Sequence, residues 1–541
     1  MISASHRLRG LILFLIFVTA YGIILFYLSF IQIFYTTFFT SLAEQQHRII
    51  IEKYPPRAPI YDRNNKLLAY NKETFSAFVI PNHIKHKDSL FAFLAEHYPT
   101  SLTYIKAHPH LSFAYIARRL TDKEHALLDN ANIADIHFLT ETMRFYPFPS
   151  LISFLGFTDI DNNGLAGVEL LYNHQLAGSP SKLCLEKDAR SGYFYFHKEL
   201  QKKGASSQPI HLTIDSDLQF LVDEEIASAK ERYNAEECSA LIMDPTSGDI
   251  LVIASHPYGE RGKQVNFEYL KPRAFTESYE LGSVIKVAAA LAALEEGVVK
   301  FDELIDCKNC KSTIIDGRQI NTLTAHGIIP FYDVIALSNN IGIAQIAKRL
   351  GTKLYEHYVK IGFGQKTGIS FPGENAGFIN PPEKWSKQSI ISLSYGYEIR
   401  ATLLQLACFF SMIAQNGKKV IPRLILDKAM PVQNSLYHEI SVLAIKEILK
   451  NTTDHGTTRR SKLFGYNILA KTGTANMIED GRYRKTNDLL TCAGIVEKEN
   501  YKRVIVTSIQ KPKIPNAYAS TLAVPLFKSI AEKMIIHERA F

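Results

Sequence analysis

The chain has 541 residues, room for about two to four domains and a large core. Its 61 basic and 53 acidic residues are interspersed without long single-sign blocks or a basic stripe with aromatics, which argues against nucleic acid as the main partner. Six cysteines are too few to build a scaffold of this size on disulfides.

In chain order, residues 10–43 come first and contain no Asp, Glu, Lys or Arg. They include "LILFLIFVTAYGIILFYLSFIQIF", longer than the roughly 20 apolar residues a bilayer core needs. With no small-residue cleavage site, the stretch predicts an uncleaved membrane anchor. His6, Arg7 and Arg9 precede it and Arg48, Lys53 and Arg57 follow, so flanking charge does not decide its orientation. Pro55, Pro56 and Pro59 then mark a change to extended chain. From there to Pro209 the reading is mixed: strands such as "TFSAFVIP", helices such as "SFAYIARRL", turns such as "DIDNNGLAG".

"PIHLTIDSDLQFLVDEEIASAK" reads as a strand and an amphipathic helix, and "ECSALIMDPTSGDILVIASHP" as a hairpin closed by its polar turn. Residues 279–417 read as mainly helical. The chain closes with strands at "NILAKTGTA", "LTCAGIVE" and "YKRVIVTSI" and a helix near "LAVPLFKSIAEKMIIHE". Strands on both sides of a helical middle predict one α/β domain whose sheet is built from both ends.

Three stretches carry candidate chemistry. In "YELGSVIKVAAALAALEEG", Ser283 and Lys286 lie three apart on one helix face. Among Val284, Ile285, Val287 and Ala288 the lysine loses solvation, which lowers its pKa and suits a base beside a nucleophile. The same residues also fit a helix cap and a snorkelling lysine. In "VIALSNNIGIAQIAKRLG", Ser338 and Asn340 sit at a loop-to-helix junction, where caps are common. In "AKTGTAN", Lys471 to Thr474 lie on a strand, and Gly473 would admit another backbone. Cys184, Cys238, Cys408 and Cys492 sit singly in apolar surroundings; Cys307 and Cys310, in "IDCKNCKST", fit a short disulfide, half a metal site or two free thiols.

The order SxxK, SxN, KTG resembles the signature of penicillin-binding proteins and class A β-lactamases. "PPRAPIYDRNNKLLAYN" and "RFYPFPSLISFLGFTDIDNNGLAGVELLYNHQLAG" resemble the post-anchor and pedestal segments of class B penicillin-binding proteins. "LTIDSDLQ", "GFGQKTGISFPGENAG" and "SLSYGYEIRATLLQLACFFSMIAQNG" are similar to landmarks of their transpeptidase domain, and "LEKDARSG" and "SYGYEI" look more like the cell-division (septal) branch than the elongation branch. The resemblance implies an α/β (mixed) fold: tail and transmembrane anchor at 1–43, a mixed α+β pedestal of the dimerisation type at 44–208, and a serine β-lactamase-like transpeptidase domain at 209–541.

It also implies D-alanyl-D-alanine transpeptidation of peptidoglycan stem peptides, with no cofactor and no metal. Ser283 would be the nucleophile, Lys286 its base, Ser338 a proton relay and Lys471 the residue that sets local charge. Asn340 would bind the substrate amide; Thr472, Gly473 and Thr474 would line the carboxylate site. Backbone N–H groups of Ser283 and Thr474 would form the oxyanion hole. Expected partners are stem peptides, β-lactam antibiotics, the membrane, a septal glycosyltransferase and division proteins. The expected location is the bacterial inner membrane, single-pass, with the catalytic domain periplasmic. An elongation-branch enzyme, or a β-lactamase or penicillin sensor, shares the motifs; the latter two would scarcely need the long pedestal. Departures from the usual pattern are Leu281 and Leu403 for proline, Ala58 and Ala470 for glycine, and Asn339 for serine. Ala470 is expected to narrow the site beside Lys471.

Overall fold

A computed structural model describes residues 4–187, 194–259, 267–426, 434–479 and 482–540. The chain forms two compact units, Met1–Pro56 with Ala177–Ser207 and Arg57–Leu176 with Gln208–Phe541. In the first, the helix Ala4–Phe34 contains a segment, Ser5–Phe34, long and apolar enough to cross a membrane and not buried against protein. A second helix, Thr36–His47, leads into the strand Arg48–Lys53, which pairs antiparallel with Ser181–Lys187; Phe194–Lys202 completes that three-stranded sheet. Five of the eight residues of "LEKDARSG", 188–192, and the side chain of Cys184 lie outside the described residues.

In the second unit the strand Leu67–Val79 pairs antiparallel with His137–Phe145 and Ala114–Ala117. The segment read as the helix "SFAYIARRL" is thus a strand. Ala114 and Ile116 are buried and their neighbours less so, a period of two that a short apolar run hides from inspection. Leu90, Leu94, Leu102 and Ile105, from two flanking helices, cover this sheet. At its base, Glu169 accepts from Arg57 Nε and Arg144 Nε, each at 2.7 Å, with all three side chains buried. Removing the carboxylate would take from two buried guanidinium groups the counter-ion they share. Glu169→Ala is expected to cost about 3–5 kcal/mol in urea unfolding, and a loss below about 1 kcal/mol would contradict that.

The chain passes into the region that follows residue 208 through a parallel pairing, Ile60 with Ile210 and Tyr61 with His211. Asp62 ties this junction together: one oxygen accepts from Asn64 N and Lys66 N, the other from Ser216 N and Oγ. A five-stranded antiparallel sheet follows, in the order Ile250–His256, Glu237–Met243, Tyr501–Gln510, Arg482–Lys498, Asn467–Glu479. It is built from both sides of the helical middle, and the strand carrying Lys471 is an edge. The helices Ser216–Arg232 and Ala523–Ala540 cover one face; the other packs on the mostly helical middle. That middle contains an excursion absent from the sequence reading: Leu304–Asp306 pairs with Ile328–Pro330, and Ser312–Ile315 with Arg318–Asn321. Leu403, at a usual proline position, starts its helix under a capping box of Thr402 and Gln405, which replaces proline's help at that end.

Candidate active site

Ser283 lies in a 3-10 turn, Gly282–Ile285, that runs into the helix Lys286–Glu295. Gly282 has φ +57°, and a Cβ there would lie 2.3 Å from Thr474 O. A Cβ on Gly473 would lie 2.2 Å from Leu281 O. The Ser283 turn and the edge strand therefore touch backbone to backbone, as the glycine of the third motif suggested. This contact brings the Thr474 amide beside the Ser283 turn.

Lys286 is fully buried, yet it does not bond to Ser283. Its Nζ donates to Ser338 O at 2.7 Å and to Asn340 Oδ1, and stands 3.1 Å from Ser338 Oγ. Lys471, also fully buried, donates to Ser338 Oγ at 3.1 Å and to Thr472 O at 3.2 Å. Two amines thus converge on one hydroxyl. Burial and the charge of Lys471 hold Lys286 well below the usual lysine range. A neutral amine has two N–H groups, matched here by the fixed acceptors Ser338 O and Asn340 Oδ1, which leaves a lone pair for a proton. The Ser283 hydroxyl is half-buried and has no hydrogen-bond partner among the described residues.

Burial pushes Lys471 down to about 7. An unfolded lysine keeps its proton up to about pH 10.5, so the unfolded chain holds more protons between pH 7 and 10.5. Stability must then rise with pH across that window, by up to about 1.4 kcal/mol per unit. Relative to wild type, Lys471→Met is expected to lose its stability advantage steadily as the pH of a denaturation series goes from 7 to 10. A constant difference would mean that Lys471 is an ordinary lysine.

Ser338 has φ +57°, at the end of the helix Phe331–Ala336. A left-handed non-glycine residue stores strain, and here it directs a hydroxyl between the two lysines. Neither Ser338 nor Asn340 caps the next helix: Asn339 does, accepting from Gly342 N at 2.9 Å. Asn340 Nδ2 donates to Asn321 O at 2.6 Å, so both ends of its amide are engaged. Thr474 is half-buried. Thr472 donates to Thr457 Oγ1 at 2.9 Å, a partner that sequence reading did not single out because adjacent threonines have no distinctive pattern. Ala470 does not narrow the site: it lies on the other strand face from Lys471, in the core against Gly494. Glu280 accepts from Glu398 N at 2.8 Å, which ties "SYGYEI" to the Ser283 turn.

Cys307 is buried, with its thiol pushed up to about 11, and Cys310 is half-buried; both are free thiols. Among the described residues no group of three or more His, Cys, Asp or Glu is placed to hold a metal.

Residues 238–532 match the penicillin-binding protein transpeptidase domain, and residues 52–212 the penicillin-binding protein dimerisation domain. Stage V sporulation protein D of Bacillus subtilis is 26% identical over 95% of this chain and 84% of its own length. Peptidoglycan D,D-transpeptidase FtsI of Buchnera aphidicola is 26% identical over 89% of this chain and 86% of its own. Penicillin-binding protein 3 of Mycobacterium tuberculosis, solved in complex with aztreonam, superposes with a TM-score of 0.68 at 25% identity, covering 90% of this chain and 97% of that one.

Proposed function

The chain belongs to the penicillin-binding protein transpeptidase family as a class B member, a peptidoglycan D,D-transpeptidase, and from that premise we propose how its residues divide the reaction. Ser283 attacks the penultimate carbonyl of a D-alanyl-D-alanine stem peptide, and its proton passes to neutral Lys286. The N–H groups of Ser283 and Thr474 hold the oxyanion, each contributing about 3 kcal/mol. The C–N bond then breaks, and the departing D-alanine takes a proton through Ser338. The amine of a neighbouring stem displaces Ser283 from the acyl-enzyme, completing the cross-link. Asn340 orients the substrate amide, and Thr472, Gly473 and Thr474 receive the terminal carboxylate beside Lys471. Its negative charge would raise the Lys471 pKa and keep the ammonium protonated. A β-lactam acylates the same serine.

One observation carries this reading: two fully buried lysines stand 3.1 Å from the same Ser338 hydroxyl. A hydroxyl within reach of both amines can take a proton from the Lys286 ammonium and give its own to the leaving group.

The domain bounds 1–43, 44–208 and 209–541 belong to the same proposal, supported by the extents of the two matched domains. The apolar helix fits a single-pass anchor; the catalytic domain is assigned to the outer side of the inner membrane, where stem peptides are. Likeness of "LEKDARSG" and "SYGYEI" to the septal branch, and a relative named FtsI, favour a role in division with a septal glycosyltransferase and division proteins as partners. Depleting the protein is then expected to block septation while cells keep growing, with a fluorescent fusion gathered at the division plane. Rounded, widening cells with dispersed signal would assign it to elongation instead.

A further inference from the structure

The excursion of residues 304–330 grips the SNN turn at two points outside the three motifs. Asn321 O accepts from Asn340 Nδ2 at 2.6 Å, and His326 Nδ1 stands 3.2 Å from Asn339 Nδ2. The second contact has a defined polarity. Asn339 is fully buried, and its Oδ1 is committed to Gly342 N at 2.9 Å, so its Nδ2 must face the imidazole. An amide NH2 only donates. His326 Nδ1 must therefore carry a lone pair, with the ring neutral and its proton on Nε2.

A proton on Nδ1 would set N–H against N–H and leave a buried donor without an acceptor. Asn339 lies between Ser338, in its left-handed conformation, and Asn340, so a loosened Asn339 frees both neighbours. His326 itself is anchored by its backbone: its carbonyl accepts from Asn309 N at 2.8 Å, and Gly327 O accepts from Cys307 N at 3.0 Å.

We infer that His326 is a positioning residue: as a neutral imidazole it clamps Asn339 and holds the Ser338–Asn340 turn against Lys286 and Lys471, and protonating it slows acylation. The inference rests on the roles proposed above for Ser338 and Asn340. Several charged or titratable groups surround the clamp. Asp333, on the helix Phe331–Ala336, interacts electrostatically with both His326 and His455. Its carboxylate favours an imidazolium, whereas a charged His455 opposes it. Asp306 and Lys308, on the excursion itself, pair with each other at 2.7 Å. Lys286 and Lys471 lie beyond Ser338.

The test follows acylation of the full-length protein by a fluorescent penicillin from pH 5 to 8, in wild type, His326→Asn and His326→Leu. Asparagine puts an acceptor close to the place of Nδ1 but does not titrate; leucine removes the acceptor. Dividing the wild-type rate by the His326→Asn rate cancels titrations the two share, including those of the lysines. That ratio is expected to fall by about tenfold from pH 8 to pH 5, and His326→Leu to be about tenfold slow at pH 8 where His326→Asn is near wild type. A pH-independent ratio, or a folded His326→Leu as fast as wild type at pH 8, would overturn the inference. If His326→Leu does not fold, the ratio alone decides. A wild type that is not acylated at any pH would instead overturn the assignment of Ser283.

Discussion

Lys286→Arg is expected to slow acylation by penicillin by about 10³-fold, although size and charge are roughly kept. The proposed base works because it is neutral. Burial and the neighbouring Lys471 hold its pKa down, and its two N–H groups have the two fixed acceptors Ser338 O and Asn340 Oδ1. Arginine stays protonated in proteins and has no lone pair to receive the Ser283 proton. A guanidinium would also put a permanent charge near Lys471 in a fully buried site. Lys286→Met separates the two effects, since it is neutral and uncharged but cannot accept a proton; it is expected to fold and to be comparably slow. Stopped-flow acylation of either variant within about tenfold of wild type would show that Lys286 is not the base.

The candidate reacting groups could be named before any coordinates, and their mutual contacts could not. A serine and a lysine three apart on a helix must share a face, so the Ser283–Lys286 spacing pointed to a direct contact. Lys286 Nζ turns instead to Ser338 and Asn340, because a buried amine goes where acceptors are, and those come from residues more than fifty positions away. Spacing along a helix fixes a face; it says nothing of what another segment brings to that face. Thr457 and His326 were invisible for the same reason. Each acts through a side chain, Thr472 or Asn339, that only the fold places beside it.

The fold divides along a similar line. A sheet assembled from both sides of a helical middle could be read from strands at 238–256 and 467–510, and the edge position of the Lys471 strand completes it. Local patterns failed where runs were short. "SFAYIARRL" has helix-forming residues, but pairing with Leu67–Val79 overrides that preference. The paired strands within 304–330 are three or four residues each, too short for periodicity to register. The alternative reading of Ser338 as a helix cap does not hold: it is the left-handed residue before the cap, a role that no propensity assigns to serine.

The central claim is that Ser283 is the acylated nucleophile, and one measurement addresses it directly. Intact-mass spectrometry of the purified protein after penicillin treatment is expected to show a single adduct of one penicillin mass that persists over the experiment. It should be absent in Ser283→Ala under the same conditions. Ser338 is the only other serine within reach of both lysines in the described structure, and it is expected to stay unmodified because its hydroxyl is held between Lys286 and Lys471. An adduct that survives in Ser283→Ala, or one that localises to another residue on proteolysis, would contradict the account.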